Sequence, residues 1–225
     1  MPIQYLPLWI QLGAFLLAMN AGMINVLGLF TVLHQAVSHM TGNVSLLAEA
    51  IVQGHSENFI YLFLIICSYV LGSSYSGFIL GNSHFKLGRS YGTPLCLVAA
   101  FIVLCWAFLP YYPRYGLLWA TAAMGVQNAM ISHYKGMIIR TTHLSGVLTD
   151  LGLALGYKLR GLAVEPRRVA LHLLIILGFL MGGAIASVTY PYLQLQAFLI
   201  PAALSLSLCV VYWGIYLKKV SHQVK

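Results

Sequence analysis

The sequence predicts an all-α integral membrane protein with six spanning helices plus two short re-entrant helices, in two inverted repeats. Three observations point there. Of the 225 residues, 60% are apolar and 7% charged, where a soluble domain carries about 25% charged residues. Several apolar stretches reach the roughly 20 residues that a bilayer crossing needs. Finally, one set of polar signatures occurs twice in that apolar setting. Gly22-Met-Ile-Asn25 is followed by His39-Met-Thr41-Gly42, and Gly125-Val-Gln-Asn128 by His143-Leu-Ser145-Gly146. Gly72 and Gly77 find echoes in Gly178 and Gly183. Many transporters are built from such repeats, with the working site where the repeats meet.

In chain order, Leu6–Phe30 is the first span. The residues before it, Met1-Pro-Ile-Gln-Tyr5, carry no basic region and no small-x-small cleavage site, so the segment reads as retained. Ser38–Gln53 comes next, short and partly polar. Phe59–Leu80 is long enough to cross, and Pro94–Leu109 and Tyr115–Ile131 are shorter but plausible spans. Thr141–Tyr157 is a second short, partly polar segment, and Val169–Val188 and Leu193–Leu217 complete the set. The chain reads as one transmembrane domain, 1–225, whose halves run over about 1–112 and 113–225.

Whether the two short segments cross is decided by charge. If both cross, there are eight spans and parallel repeats. Arg114, Lys158, Arg160, Arg167, Arg168, Lys218, Lys219 and Lys225 then lie inside, and Lys86, Arg89, Lys135 and Arg140 outside. If both dip in and return, only Arg114 is outside. Cytoplasmic loops are enriched in Lys and Arg. The six-span form with both termini cytoplasmic is therefore preferred, with eight spans and parallel repeats as the alternative.

The candidate site follows from the repeated residues. Thr41, Gly42 and Asn43 begin one short helix, and Thr142, Ser145 and Gly146 the other. Helix starts carry partial positive charge, and Thr, Ser and Asn can cap their amides. Two such starts at membrane depth favour an anion or a polar solute. The competing role for Thr-Gly and Ser-Gly is close helix packing. Asn20, Asn25, Gln127 and Asn128 lie in spans, where amides either hold a solute or act as interhelical glue. Thr142, Ser145, Thr149 and Asp150 form one polar stripe on a helix. A carboxylate in a membrane segment is costly and faces a cavity or a partner. Asp150 thus reads either as a proton carrier or as a tie to Arg140 or Lys158, and Glu49, on a face with Thr41 and Ser45, has the same two readings. Gly72, Ser76, Gly77 and Gly81, with Gly178, Gly182 and Gly183, read as faces for packing the re-entrant helices, within or between chains, which admits a homo-oligomer.

Other classes are poorly served. No G-x-S-x-G, HExxH or Walker pattern occurs, and four acids leave little for paired-carboxylate catalysis, so no enzyme is expected. The net charge of +8 sits between apolar segments with no basic run, so nucleic acid is not expected as a partner. Cys67, Cys96, Cys105 and Cys209 form no CxxC pair, and His39 and His143 lack a third ligand at defined spacing. Neither metal nor cofactor is expected.

The chain resembles the YoaK-like bacterial membrane proteins, a family of unknown function. The resemblance rests on His39-Met-Thr-Gly-Asn43 after Gly22-Met-Ile-Asn25, and on Gly125-Val-Gln-Asn128 before Thr141-Thr-His-Leu-Ser-Gly146. It covers nearly the whole chain, and implies a multi-spanning protein of the bacterial inner membrane with no implied substrate. Two positions depart from the family pattern. Asn25 stands where an acid is common, which argues against cation or proton coupling at that position. Ser145 stands for threonine and keeps the hydroxyl. The expectation is a transporter or channel for a small solute, with Asn25, Thr41, Gly42, Asn43, Gln127, Asn128, Thr142, Ser145, Gly146 and Asp150 at the site. The rival is a membrane scaffold whose motifs only pack.

Overall fold

A computed structural model describes residues 8–81, 91–131 and 141–223. Lys86, Arg89, Lys135, Arg140 and Lys225, on which part of the charge argument rests, lie outside the described residues, as does the start of the chain. Within them every regular element is helical and no strand occurs. The elements are α1 (Leu8–Phe30), α2 (Met40–Gln53), α3 (Ser56–Leu80), α4 (Gly92–Phe108), α5 (Pro113–Ile131), α6 (Leu144–Leu159), α7 (Pro166–Leu193), a 3-10 turn (Gln194–Phe198) and α8 (Leu199–Gln223).

The boundaries follow local chemistry. Gly54, at φ +70°, ends α2 in a left-handed cap, with backbone bonds back to Ala50 and Ile51. Proline opens α5 and α7, where its missing N–H costs nothing. Three helical runs are long and apolar enough to cross a membrane: Leu8–Phe30, Ser56–Leu80 and the nearly unbroken run Pro166–Lys218. Gly92–Phe108 is a shorter apolar helix. Phe78, Leu180, Val210 and Leu71 point outward and are largely exposed, the reverse of a soluble surface of that breadth.

Two core clusters fix helix directions. One joins the later part of α1 (Met23, Ile24, Leu27) to the earlier part of α5 (Leu117, Ala120), the later part of α4 (Ile102, Cys105) and Phe198 just before α8. The other joins the start of α1 (Ile10, Ala14) to the end of α5 (Met130, Ile131), the starts of α4 (Leu95) and α7 (Leu171), Val147 of α6 and Cys209 far along α8. Consequently α1 runs antiparallel to α5, and α4 antiparallel to α8.

The most extensive packing pairs α1 with α7 and α3 with α5. Each pair is closed by glycines lying on a partner backbone. Gly22 faces the Phe179 carbonyl and Gly182 the Met19 carbonyl. Likewise Gly125 faces the Tyr69 carbonyl and Gly72 the Ala122 carbonyl. The glycine faces were expected to seat α2 and α6. Instead Gly72 seats α5 and Gly178 and Gly182 seat α1, because only a bare Cα lets two long helices approach to backbone contact, while a Cβ at Gly77 or Gly81 would meet nothing within 4 Å. By this contact the counterpart of Gly72 is Gly182, one turn beyond Gly178. Meanwhile α2 rests mainly on α3, and α6 on α7.

Candidate functional site

The site is built at the breaks that precede α2 and α6. After Phe30 the chain turns back along α1. The Thr31 hydroxyl donates to the Gly28 carbonyl at 2.7 Å, and Gly28 leaves room for Gln35 and Val37. Asn25 then clamps the returning strand of backbone from both of its amide atoms. Its Nδ2 donates to Ser38 Oγ at 2.6 Å, and its Oδ1 accepts from the Ser38 N–H at 2.8 Å. Gln35 Nε2 donates to Asn43 Oδ1, while Asn43 Nδ2 is buried with no partner.

The second break is held the same way. Asn128 Nδ2 donates to Thr142 Oγ1 at 2.7 Å and to the Tyr69 hydroxyl at 2.9 Å, and Thr141 Oγ1 donates to Asn128 Oδ1 at 3.3 Å. Ser38 and Thr142 each stand one residue before the histidine of the repeated motif, so the two clamps share the Nδ2-to-hydroxyl bond, while Oδ1 accepts from a backbone N–H in the first and from the Thr141 hydroxyl in the second. Between them lies an amide pair joining α1 to α5. Asn20 Nδ2 donates to Gln127 Oε1 at 2.8 Å, and Gln127 Nε2 donates to the Leu17 carbonyl at 2.9 Å and to Thr141 Oγ1 at 3.4 Å. Asn20 and Gln127 are fully buried, and Asn20 Oδ1 has no hydrogen-bond partner.

Of the ten candidate residues, the structure gathers Asn25, Asn43, Gln127, Asn128 and Thr142 into these clamps. It leaves Thr41, Ser145 and Gly146 exposed, and Gly42 half-buried under the His39 ring. Capping by Thr, Ser or Asn is corrected: His39 and His143 occupy the N-cap positions and neither makes a side-chain cap bond. The polar stripe on α6 also splits. Thr149 Oγ1 bonds the Ser145 carbonyl one turn back, as Ser45 bonds Thr41, so these hydroxyls satisfy themselves and face outward. Asp150 alone turns to α7. Among the described residues its partner is Arg168 rather than Lys158, at 2.9 Å, with His172 Nε2 at 3.7 Å; Arg140 lies outside the described residues. Ser38, Gln35 and Tyr69 were missed. Matched spacing before the two histidines pointed to Ser38; nothing in the sequence pointed to Tyr69.

The Asp150–Arg168 pair is half-exposed, at 37% and 55%, so its expected worth is modest. In a double-mutant cycle with Asp150→Asn and Arg168→Gln, thermal unfolding in detergent is expected to give a coupling of ~0.5–1 kcal/mol. A coupling near zero would mean that the contact does not tie α6 to α7.

The family described as "Protein of unknown function (DUF1275)" matches residues 13–211. The chain belongs to the DUF1275 family. A curated relative, "UPF0700 transmembrane protein YoaK" of Bacillus subtilis (strain 168), is 25% identical over 141 residues. That alignment covers 60% of this chain and 63% of the relative, so the chain spans under two thirds of the relative's length. No solved structure matches. With its apolar helical runs, this DUF1275 member is a membrane protein.

Proposed function

We propose that the protein is a non-enzymatic, multi-pass transporter of a small polar solute, with six spanning and two re-entrant helices in two inverted halves. The observation carrying this reading is the clamp used twice, Asn25 on Ser38 and Asn128 on Thr142, around the buried Asn20–Gln127 pair. Non-helical backbone at membrane depth persists only where protein buries it or water reaches it, and transporter sites form at such breaks.

Helix directions support the inverted arrangement. α1, α4 and α7 begin at the end of the bundle where α5 and α8 finish. On that reading α2 leaves and rejoins one end, and α6 the other. At 14 and 16 residues these helices extend about 21 and 24 Å, short of the roughly 30 Å hydrocarbon core. Among described residues the α6 end carries Lys158, Arg160, Arg167, Arg168 and Lys218, and the α2 end Arg114. The positive-inside tendency favours a cytoplasmic α6 end, with both termini there and the inner membrane as the location.

A second reading has its own support. The site amides bond to one another and to hydroxyls and backbone of the same chain, as a packing-only scaffold would have them. Accessibility separates the two. In a variant lacking the four native cysteines, single cysteines at Thr41, Gln53, Ser145, Leu159 and Asn20 are labelled with an impermeant thiol reagent from each side. Thr41 and Gln53 are expected to react only from outside, Ser145 and Leu159 only from the cytoplasm, and Asn20 from at least one side. Ends of α6 reached from opposite sides would restore eight spans and parallel repeats. An Asn20 cysteine silent from both sides would favour the scaffold.

A further inference from the structure

All four acids of the chain lie at two cavities, which sit at opposite ends of the bundle. The first, about 260 Å³, lies between α2, α3 and the start of α5, and its wall includes Glu49, Gln53, His55, Asn58, Tyr61 and Arg114. Glu57 reaches it through an ion pair to Arg114 at 3.3 Å. The second, about 300 Å³, lies between α6 and α7, with Asp150, Tyr157, Glu165, Arg168 and His172 in its wall. Each therefore offers the same chemistry: one arginine already paired to a carboxylate, one further carboxylate, one histidine and one tyrosine. Among the described residues Glu49 accepts only from Gln53 Nε2, at 2.9 Å. Neither Glu49 nor Glu165 has an ion-pair partner among the described residues. Tyr61 is nine-tenths buried and its hydroxyl has no hydrogen-bond partner.

We infer that these cavities are matched docking ports for one small organic cation, an amine or guanidine, on the two faces of the membrane. The inference rests on the transport reading in giving both ports the same solute. After the arginine cancels one acid, one carboxylate remains in each wall as a contact for a cation. The outer port already shows the contact it would make. The Arg114 guanidinium lies over the Tyr61 ring, 5.6 Å from its centroid, as cations do on aromatic faces. A metal ion fits less well: among the described residues no three His, Cys, Asp or Glu side chains gather as a ligand set. The ports also differ in one useful respect. Lys158, Arg160 and Arg167 stand close in sequence to the inner one, so it holds a cation more weakly, which suits release there.

The test uses the full chain in sealed vesicles, lacking native cysteines, with Asn58→Cys at the outer port or Leu153→Cys at the inner. Labelling by an impermeant thiol reagent is timed with methylguanidinium, methylammonium, magnesium or acetate present. At about twice the half-saturating concentration, the organic cations are expected to slow labelling about threefold, with more cation needed inside than outside. Glu49→Gln is expected to abolish the outer protection alone, and Glu165→Gln the inner alone. Protection by acetate or magnesium instead, by nothing, at one face only, or unchanged in both Gln variants would overturn the inference. The transport reading stands or falls separately, on the Asn20 cysteine.

Discussion

Gly182→Val is expected to prevent a folded protein from accumulating. A Cβ at Gly182 would enter the Met19 carbonyl, which belongs to the backbone of α1 and cannot rotate away. Relief requires α1 and α7 to separate along their length, and these two helices share the most extensive packing in the molecule. Overpacking typically costs ~1–3 kcal/mol, and more where backbone must move, so the loss should exceed ~3 kcal/mol. Gly22→Val, which meets the Phe179 carbonyl, is expected to do the same. The informative control is Gly146→Ala. Nothing lies within 4 Å of a Cβ at Gly146, and alanine gains up to ~1 kcal/mol over glycine inside a helix. Yield of monodisperse protein in detergent and its unfolding temperature read both effects. A folded, stable Gly182→Val would mean that the α1–α7 contact is looser than described.

Gln127→Leu is the second large effect. It removes the acceptor of the Asn20 amide and the donor to the Leu17 carbonyl and to Thr141. Asn20 is then fully buried with its remaining amide atoms unbonded as well. Unsatisfied buried groups cost ~1–3 kcal/mol each, whereas interhelical hydrogen bonds in membranes average nearer ~0.6 kcal/mol. A net loss of ~2–3 kcal/mol is expected in thermal unfolding. The double variant Asn20→Leu/Gln127→Leu should regain most of it, because two apolar partners leave nothing stranded. That variant also separates the proposed functions. As a scaffold it keeps its stability and its role; as a transporter it keeps stability and loses the polar centre on which passage depends. A double variant no more stable than Gln127→Leu would show that the amides do not act as a pair.

Much of this was legible in the residues. Composition and long apolar stretches gave the membrane character, and each described helix falls within a few residues of an expected segment. Asn25 and Asn128 were found because their motif recurs, and in each half the residue before the following histidine, Ser38 or Thr142, accepts from the asparagine amide. The misses share a physical origin. A helical stripe such as Ser145, Thr149 and Asp150 says which residues share a face, not what that face meets. Thr149 bonds its own helix, and only the crossing of α6 on α7 brings Arg168 to Asp150. Helix caps depend on the backbone angles at one residue, which the Thr-Gly and Ser-Gly signatures do not specify; the histidines took those positions. The glycines announced close contact without naming the partner, because the helix that fills it is distant in the chain.

That distance has a consequence for biosynthesis. α1 is made early, yet the helix that covers its glycine face, α7, begins only at Pro166. At roughly 5–20 residues per second, α1 waits on the order of ten seconds in the bilayer with Gly22 and the Met19 carbonyl uncovered. α3 waits less for α5, which starts at Pro113. The first half of the chain therefore reaches the membrane before the surface that locks it exists, and during that interval α1 is open to the wrong partner, including α1 of a neighbouring nascent chain.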